Sequence, residues 1–402
     1  MSRKISFIII GLLLGSISTS AQVEITGSVD VTLKAGGKAS GHFTNGIDHD
    51  FNHLHSRLQE FNVNMFAPIS NEFYIESRLR VKNNLSGKID PPKLELASIN
   101  YSPEGKKYFL SAGKIIMPFG FYPTRQMQID RTFIDYPMSY SYSIYISRTK
   151  GWYDLPRGDY GDQNAEDIDY GMQSIFYGGY TTGLMYGWQN DFTTIKAALT
   201  NEPATGYDAS NIATMAGIAR ITHTLNMYLT FGLSGSYGSF MHEGEVNTAL
   251  MDEVDFTQFT QAAVGADFQI GFTFFEIIGE ATFSRWHVPY YEDGAGFAYS
   301  GINQLAAFNL NNVSANLDIK YEPPFFTGGY FAIRAEHIDF NEVALPGQYN
   351  AEYTDWDHDI SKLTAVIGYK LDRNVLLKIG YSDQGDFNGD AFAFKAYLTA
   401  AF

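Results

Sequence analysis

The sequence predicts an all-β protein, specifically a transmembrane antiparallel up-and-down β-barrel. Three observations carry this reading. Apolar and polar residues alternate with a period of two in segment after segment, short turns and long polar loops alternate between those segments, and the chain ends on Phe402, which closes one more apolar face. Composition agrees: 31 Phe, 27 Tyr and 38 Gly beside 13 Pro and 18% charged residues suit a β-rich chain with abundant aromatic surface.

The alternation begins at Val23, Ile25, Val29, Val31 and Leu33, set against Glu24, Thr26, Ser28, Asp30 and Thr32. It returns in Phe73, Ile75, Leu79 and Val81 against Glu76, Arg78, Arg80 and Lys82, and in Phe275, Ile277, Ala281 and Phe283 against Glu276, Glu280 and Ser284. Val313 to Tyr321 repeats it. A soluble sandwich buries such apolar faces between its sheets, whereas a membrane barrel turns them to lipid and its polar faces to the lumen. Periodicity does not separate the two, but connection lengths do. Reading back from the last strand, Phe392 to Phe402, the connections alternate: loop Asp383 to Ala391, turn Leu371 to Asn374, loop Phe340 to Asp359, turn Glu322 to Gly328, loop His287 to Asn303, turn Gly271 to Thr273, loop Gly238 to Phe256. With short turns periplasmic, the first strand runs outward into the loop Lys34 to His53. One descending strand within Asp169 to Gln189 gives 16 strands, about 24 residues per strand and connection; three would give 18, the alternative.

Export fits this topology. Met1 to Ala21 carries Arg3 and Lys4, an apolar run Ile5 to Leu14, and the small residues Thr19, Ser20 and Ala21, the layout of a signal peptide cleaved before Gln22. Residues 22–402 then form one barrel domain. The chain has no cysteine, which excludes a lipidated cysteine and disulfides. No later run approaches the ~18 apolar residues of a membrane helix. A net charge of −16 argues against nucleic acid as a partner. Tyr101, Tyr108, Tyr321, Phe331 and Phe340 fall near strand ends, where a bilayer has its interfaces.

In the last strand, Phe392, Phe394, Ala396, Leu398, Ala400 and Phe402 oppose Lys395 and Thr399. A strand that ends the chain on Phe resembles the signal that outer-membrane barrels present to their insertion machinery. Ala112-Gly113-Lys114-Ile115-Ile116-Met117-Pro118-Phe119-Gly120 resembles the strand-to-loop passage of the phosphate-selective porin family, within the Gram-negative outer-membrane porin superfamily. The resemblance implies a 16-stranded, usually trimeric barrel in the outer membrane, open to passive diffusion of small hydrophilic solutes or ions, with the following loop folded into the pore. Mapped here, that constriction comes from Phe121 to Trp152, which holds Arg125, Asp130, Arg131, Asp135, Tyr140 and Tyr142. Charges of both signs at such a waist would set a transverse field, with Arg125 and Arg131 expected to face Asp130 or Asp135.

Arg78, Arg80 and Lys82 form a basic row on one strand face, read either as an anion ladder or, preferably in so acidic a chain, as a lumen wall neutralised by carboxylates. The segment lacks the dense lysine and arginine ladder of anion-binding relatives, which speaks against phosphate. Tyr140, Tyr142 and Tyr145, interleaved with Ser139, Ser141 and Ser143, could stack sugar rings or simply pack a loop. His49, Asp50, His53 and His55, and Asp355, Asp357, His358 and Asp359, match no metal motif and read as solvated loop polarity, with loop-bound calcium or zinc as the alternative. Asp386 to Asp390 reads as a turn. No Gly-x-Ser-x-Gly or Ser and His pairing points to an outer-membrane hydrolase, and no enzyme is expected. A structural or adhesive barrel without an open pore remains the chief rival. The expected partners are outer-membrane lipid, the insertion machinery, small polar solutes and two further copies of the chain.

Overall fold

The computed structural model describes residues 23–37, 54–83, 89–148, 150–153, 171–176, 178–206, 215–241, 255–292, 296–301, 304–344, 353–384 and 391–402. Sixteen antiparallel strands form the wall: β1 (Glu24–Gly36), β2 (His55–Pro68), β3 (Phe73–Lys82), β4 (Lys93–Tyr101), β5 (Tyr108–Ile116), β6 (Tyr180–Gln189), β7 (Thr193–Thr200), β8 (Ala216–Asn226), β9 (Leu229–Ser239), β10 (Thr260–Phe272), β11 (Phe275–Glu292), β12 (Ala307–Tyr321), β13 (Gly329–Phe340), β14 (Ile360–Asp372), β15 (Val375–Asp383) and β16 (Phe392–Ala401). Each pairs with its chain neighbours, and β1 pairs with both β2 and β16, which closes the ring. Short strands lie outside it. The descending strand sought within Asp169 to Gln189 is β6, so the count is 16 and the alternative of 18 falls away.

Closure is sealed by the last residue. Gly27 and Phe402 exchange both backbone hydrogen bonds at 2.9 Å, extending the β1–β16 ladder to the chain end. The Phe402 ring lies where a Cβ on Gly27 would stand, so glycine there makes room for the terminal aromatic.

Alternation sorts the side chains into two environments. On β16, Phe394 and Leu398 point outward, 52% and 41% exposed, while Lys395 and Thr399 point inward, 4% and 0% exposed. The same parity holds on β12, β13 and β14. An outward belt of Leu, Ile, Val and Phe would cost about 2 kcal/mol per side chain in water, so the belt faces hydrocarbon. At the short-turn end, aromatic pairs ring the wall: Phe73–Tyr101, Tyr108–Tyr186, Phe275–Tyr321 and Phe326–Phe331. They mark the bilayer interface there.

Phe340 departs from this belt. It shares the parity of Arg334 and Glu336, is 3% exposed and packs edge-on against Trp356, inside the barrel's outer end and not at the lipid interface. Two boundaries also move. The turn expected at Gly271 to Thr273 lies at Thr273 and Phe274, because the ladder pairs Phe272 with Phe275. The loop expected from His287 starts later, because β11 continues to Glu292: it pairs with β12 as far as Pro289 and Ala307, and its Tyr290 and Tyr291 pair in parallel with Trp152 and Tyr153. That extra partner satisfies backbone groups beyond the ring. The wall is consequently lopsided, 18 residues at β11 against 9 at β4 and at β5.

Candidate functional site

The lumen is occupied by the connection between β5 and β6. Proline at 118 ends the β5 ladder, since it has no N–H to give. The chain then turns inward at Gly120, with φ +67, where its N–H donates to Ser234 Oγ at 3.0 Å. A Cβ there would collide with the Tyr140 hydroxyl and Glu280, so both conformation and space require glycine at the end of Pro118-Phe119-Gly120.

Beyond Gly120 the segment descends through two turns, Tyr122–Thr124 and Gln128–Asp130, to the short-turn end. Arg125 pairs there with Glu276 at 3.2 Å, and Tyr330 donates its hydroxyl hydrogen to Thr132 O at 2.7 Å. It climbs back through the helical turn Met138–Ser141 to Gly151–Tyr153 at the outer end. Two further pieces join it inside. Ile175 N–H donates to Ser139 O, Phe176 N–H to Ala204 O, and Ala204 N–H to Ser236 Oγ. Arg148 forks onto Glu202 at 2.5 and 2.7 Å. Nothing in sequence alternation marked residues 171–176 or 201–206 as lumenal; the one available signal was the lack of strand period over a long connection.

The wall holds this insertion with two chemistries. On β11, β12 and β13 it presents carboxylates. Tyr122 donates to Asp318 at 2.6 Å, Tyr140 to Glu280 at 2.6 Å, Phe121 N–H to the same Glu280 oxygen at 3.2 Å, and Met138 N–H to Glu336 at 2.7 Å. Arg334 balances Asp318 through a bidentate contact at 2.6 and 2.7 Å. Burial pushes the Tyr122 and Tyr140 phenols well above their ordinary range, and the adjoining carboxylates add to it, so both stay protonated donors. On β15 and β16 the wall presents lysines. Lys378 Nζ donates to Gln128 O at 2.6 Å and Arg131 O at 2.6 Å, and Lys395 Nζ meets Asp135 at 2.6 Å. Burial alone would raise the Asp135 pKa, but Lys395, backed by Lys362 and Lys34, outweighs it and holds the carboxyl well below the usual range.

Apolar packing fills the space between these contacts, including a cluster of Phe133 with Tyr330, Ala332, Val366 and Leu376 on β13 to β15. Met117, Phe119, Tyr122, Tyr140, Ile218 and Ala263 form a dry cluster against β8 and β10, and a larger aromatic core with Trp152, Trp286, Trp356, Phe240 and Phe259 fills the outer end. Buried polar atoms without partners occur on both flanks: Nε and Nη1 of Arg131 on the segment near β16 and β1, and Glu280 Oε2, Ser284 Oγ and Asn316 Oδ1 on β11 and β12. Buried polar groups in such a state call for water.

The residues singled out from sequence are thus placed as follows. Arg125 and Arg131 lie close enough to Asp130 to pull on its carboxyl, but neither forms an ion pair with Asp130 or Asp135. Arg125 pairs with Glu276, Arg131 stacks on Tyr136 at 3.8 Å, and Asp135 takes Lys395, because the barrel wall, which sequence spacing along one segment does not reveal, supplies nearer counter-charges. Burial raises the pKa of Asp130 against the pull of Arg78 and Arg125. Tyr140 and Tyr142 lie in no strand. They are 1% and 6% exposed, and Tyr142 donates to Asp357 at 2.7 Å, so neither offers a free face to a sugar ring. Arg80 meets Glu95 and, at 4.0 Å, Glu60; Arg78 is held by Asn64 at 2.6 Å and by the Tyr180 hydroxyl; Lys82 ends β3 opposite Glu60. The row is flanked by carboxylates. Asp357 is buried, not solvated: it also accepts from Tyr145 N–H at 3.0 Å, and Asp359 accepts from Phe340 N–H at 2.8 Å. His49, Asp50, His53 and Asp386 to Asp390 lie outside the described residues, as does the chain before Val23. Among the described residues no group of three or more His, Asp or Glu is placed to hold a metal.

Sixteen strands, closure of β1 on β16 and a long connection inside the ring define the shape. The anion-selective porin of Comamonas acidovorans superposes with a TM-score of 0.57 at 9% identity, over 95% of this chain and 100% of that one. The fold is that of a porin. The outer-membrane channel DcaP of Acinetobacter baumannii gives 0.57 at 10% identity, over 95% and 98%. OmpT of Vibrio cholerae, in its trimer form, gives 0.53 at 10% identity, over 96% and 100%. No family model and no curated protein matches the sequence. With the porin fold and the outward apolar belt, the chain is a multi-pass protein of the Gram-negative outer membrane.

Proposed function

We propose that this protein is a passive diffusion channel for small hydrophilic solutes or ions and performs no covalent chemistry. The observation that carries this reading is the polar lining of the lumen. Charged side chains of both signs point inward from the wall, and buried polar atoms on both flanks, among them Nε and Nη1 of Arg131 and Oε2 of Glu280, are left without protein partners and call for water. The route runs between Arg131 and Tyr136 on the segment and Asp30, Glu60, Arg80 and Glu95 on β1 to β4, with Asp130 and Arg78 below. Charges of both signs line it, which gives weak selectivity and a field that orients polar solutes. Planar-bilayer recording of the purified protein tests it: discrete ionic conductance with modest selectivity is expected, and electrical silence across repeated reconstitutions overturns it.

The aromatic core at the outer end favours a second reading, a closed structural or adhesive barrel, and the same recording decides between them. The V. cholerae OmpT trimer supports three copies per assembly, which the mass of the native complex checks. Processing before Gln22 would leave β1 free to start at Glu24 and meet Phe402; mass spectrometry of the mature chain reads the cut.

A further inference from the structure

The outward faces of β11 and β12 change character at one height. From the short-turn end upward they are apolar: Phe283 on β11 and Ile319, Leu317 and Val313 on β12 are 40–46% exposed to the surroundings of the barrel. Directly above, Arg285 lies opposite Asn311 and His287 opposite Asn309 in the ladder. Arg285 shares the outward parity of Phe283 and is exposed, and its guanidinium makes no ion pair or hydrogen bond among the described residues. His287 Nδ1 meets Asn309 Oδ1 at 3.3 Å, which leaves the amide N–H groups of the exposed Asn309 available as donors. From the aromatic Phe275 to Arg285 the strand climbs about 25 Å, at roughly 3.3 Å per residue and a tilt of roughly 40°, the height of a membrane barrel's apolar band. Arg285 thus stands at the outer interface. Tyr237 on β9, 62% exposed and reached through Ala262 on β10, stands there beside it. On β13 the outward Asp339 pairs with Val313, so acidity returns there and bounds the cationic patch.

We propose that this outer edge of β11 and β12 docks the phosphate headgroup of a membrane lipid, the phosphate on Arg285 and Asn309 and the acyl chains along Phe283 and Val313. A guanidinium at the margin of hydrocarbon, with no counter-charge on the protein, favours an anion whose several oxygens it can fork. The low dielectric of the adjoining chains strengthens that attraction. The apolar strip below the patch is continuous with the lipid-facing belt, and this makes the occupant a lipid and not a soluble anion or a second copy of the chain.

Native mass spectrometry of the purified, detergent-solubilised protein with didecanoyl phosphatidic acid tests this and needs no conduction, so it stands or falls apart from the channel reading. Saturable binding is expected, with no comparable binding of didecanoylglycerol, which lacks the phosphate. Arg285→Gln should weaken the lipid about tenfold and Asn309→Ala less, while Arg373→Gln, on the exposed turn at the opposite end of the barrel, should leave it unchanged. Arg285 and Asn309 are both exposed, so neither variant depends on interior packing. Unchanged affinity in Arg285→Gln, an equal loss in Arg373→Gln, equal binding of didecanoylglycerol, or displacement of the lipid by equimolar inorganic phosphate would overturn the proposal.

Discussion

Along β11, β12 and β13 the wall meets the inserted segment with carboxylates, and along β15 and β16 it meets the same segment with lysines. The carboxylates accept from tyrosine hydroxyls and backbone N–H groups, and behind them lie packed aromatic clusters. The lysines donate to backbone carbonyls and to Asp135, and beside them lies a smaller apolar cluster of Phe133, Tyr330, Val366 and Leu376. An irregular chain inside a membrane barrel must satisfy both its donors and its acceptors, and a wall of one sign would serve only half of them. Opposite chemistries on opposite flanks solve that problem.

The comparison breaks most visibly if the insertion is removed. Excising Gln126 to Ser143 should raise single-channel conductance several-fold, because it removes the contacts that hold the segment across the lumen to both flanks; a wild-type conductance would show that the segment caps the pore instead of narrowing it. Smaller changes separate the flanks. Arg334→Met leaves Asp318 charged and unpaired among buried groups and should cost about 3–5 kcal/mol, read as a lowered thermal midpoint. Lys378→Met leaves neutral carbonyl acceptors without a donor, and should cost less, about 1–3 kcal/mol. Equal losses would mean that an unpaired buried carboxylate costs no more here than unpaired carbonyls.

How legible this was follows from range. Strand alternation, turn lengths and the closing Phe402 are properties of neighbours in sequence, so a count of 16 strands over the alternative of 18, both faces of β3, β11, β12 and β16, and the place of Phe402 at the end of the last strand could be read directly, while its exchange of hydrogen bonds with Gly27 could not. Phe340 was misplaced because an aromatic near a strand end has the same local context on either face. Counting parity from Arg334 would have put it inside.

The smallest expected effect sharpens the lysine flank. Asp135 is held below the ordinary 3.8, so its contribution to stability is complete above that range and is lost as pH falls through the depressed value. The thermal midpoint of the wild type should therefore exceed that of Asp135→Asn at pH 7, and the gap should narrow only in strong acid. A gap that vanishes already at pH 5 would separate Asp135 from its lysines.

By itself, the sequence determined the barrel, a strand number of 16 or 18 and which face of each strand meets lipid, because a period of two and the demand of hydrocarbon for apolar surface leave little choice. It also marked the segment after Gly120 as long and irregular. Only the tertiary structure decided what that segment touches. The partners of Arg125, Asp135, Tyr122 and Tyr140 lie some 140 to 260 residues away in the chain and are brought within hydrogen-bond reach by the curvature of the wall. No local pattern records which inward side chain of a distant strand will stand opposite once the ring has closed, and so the charges that looked paired within one segment are in fact paired across the lumen.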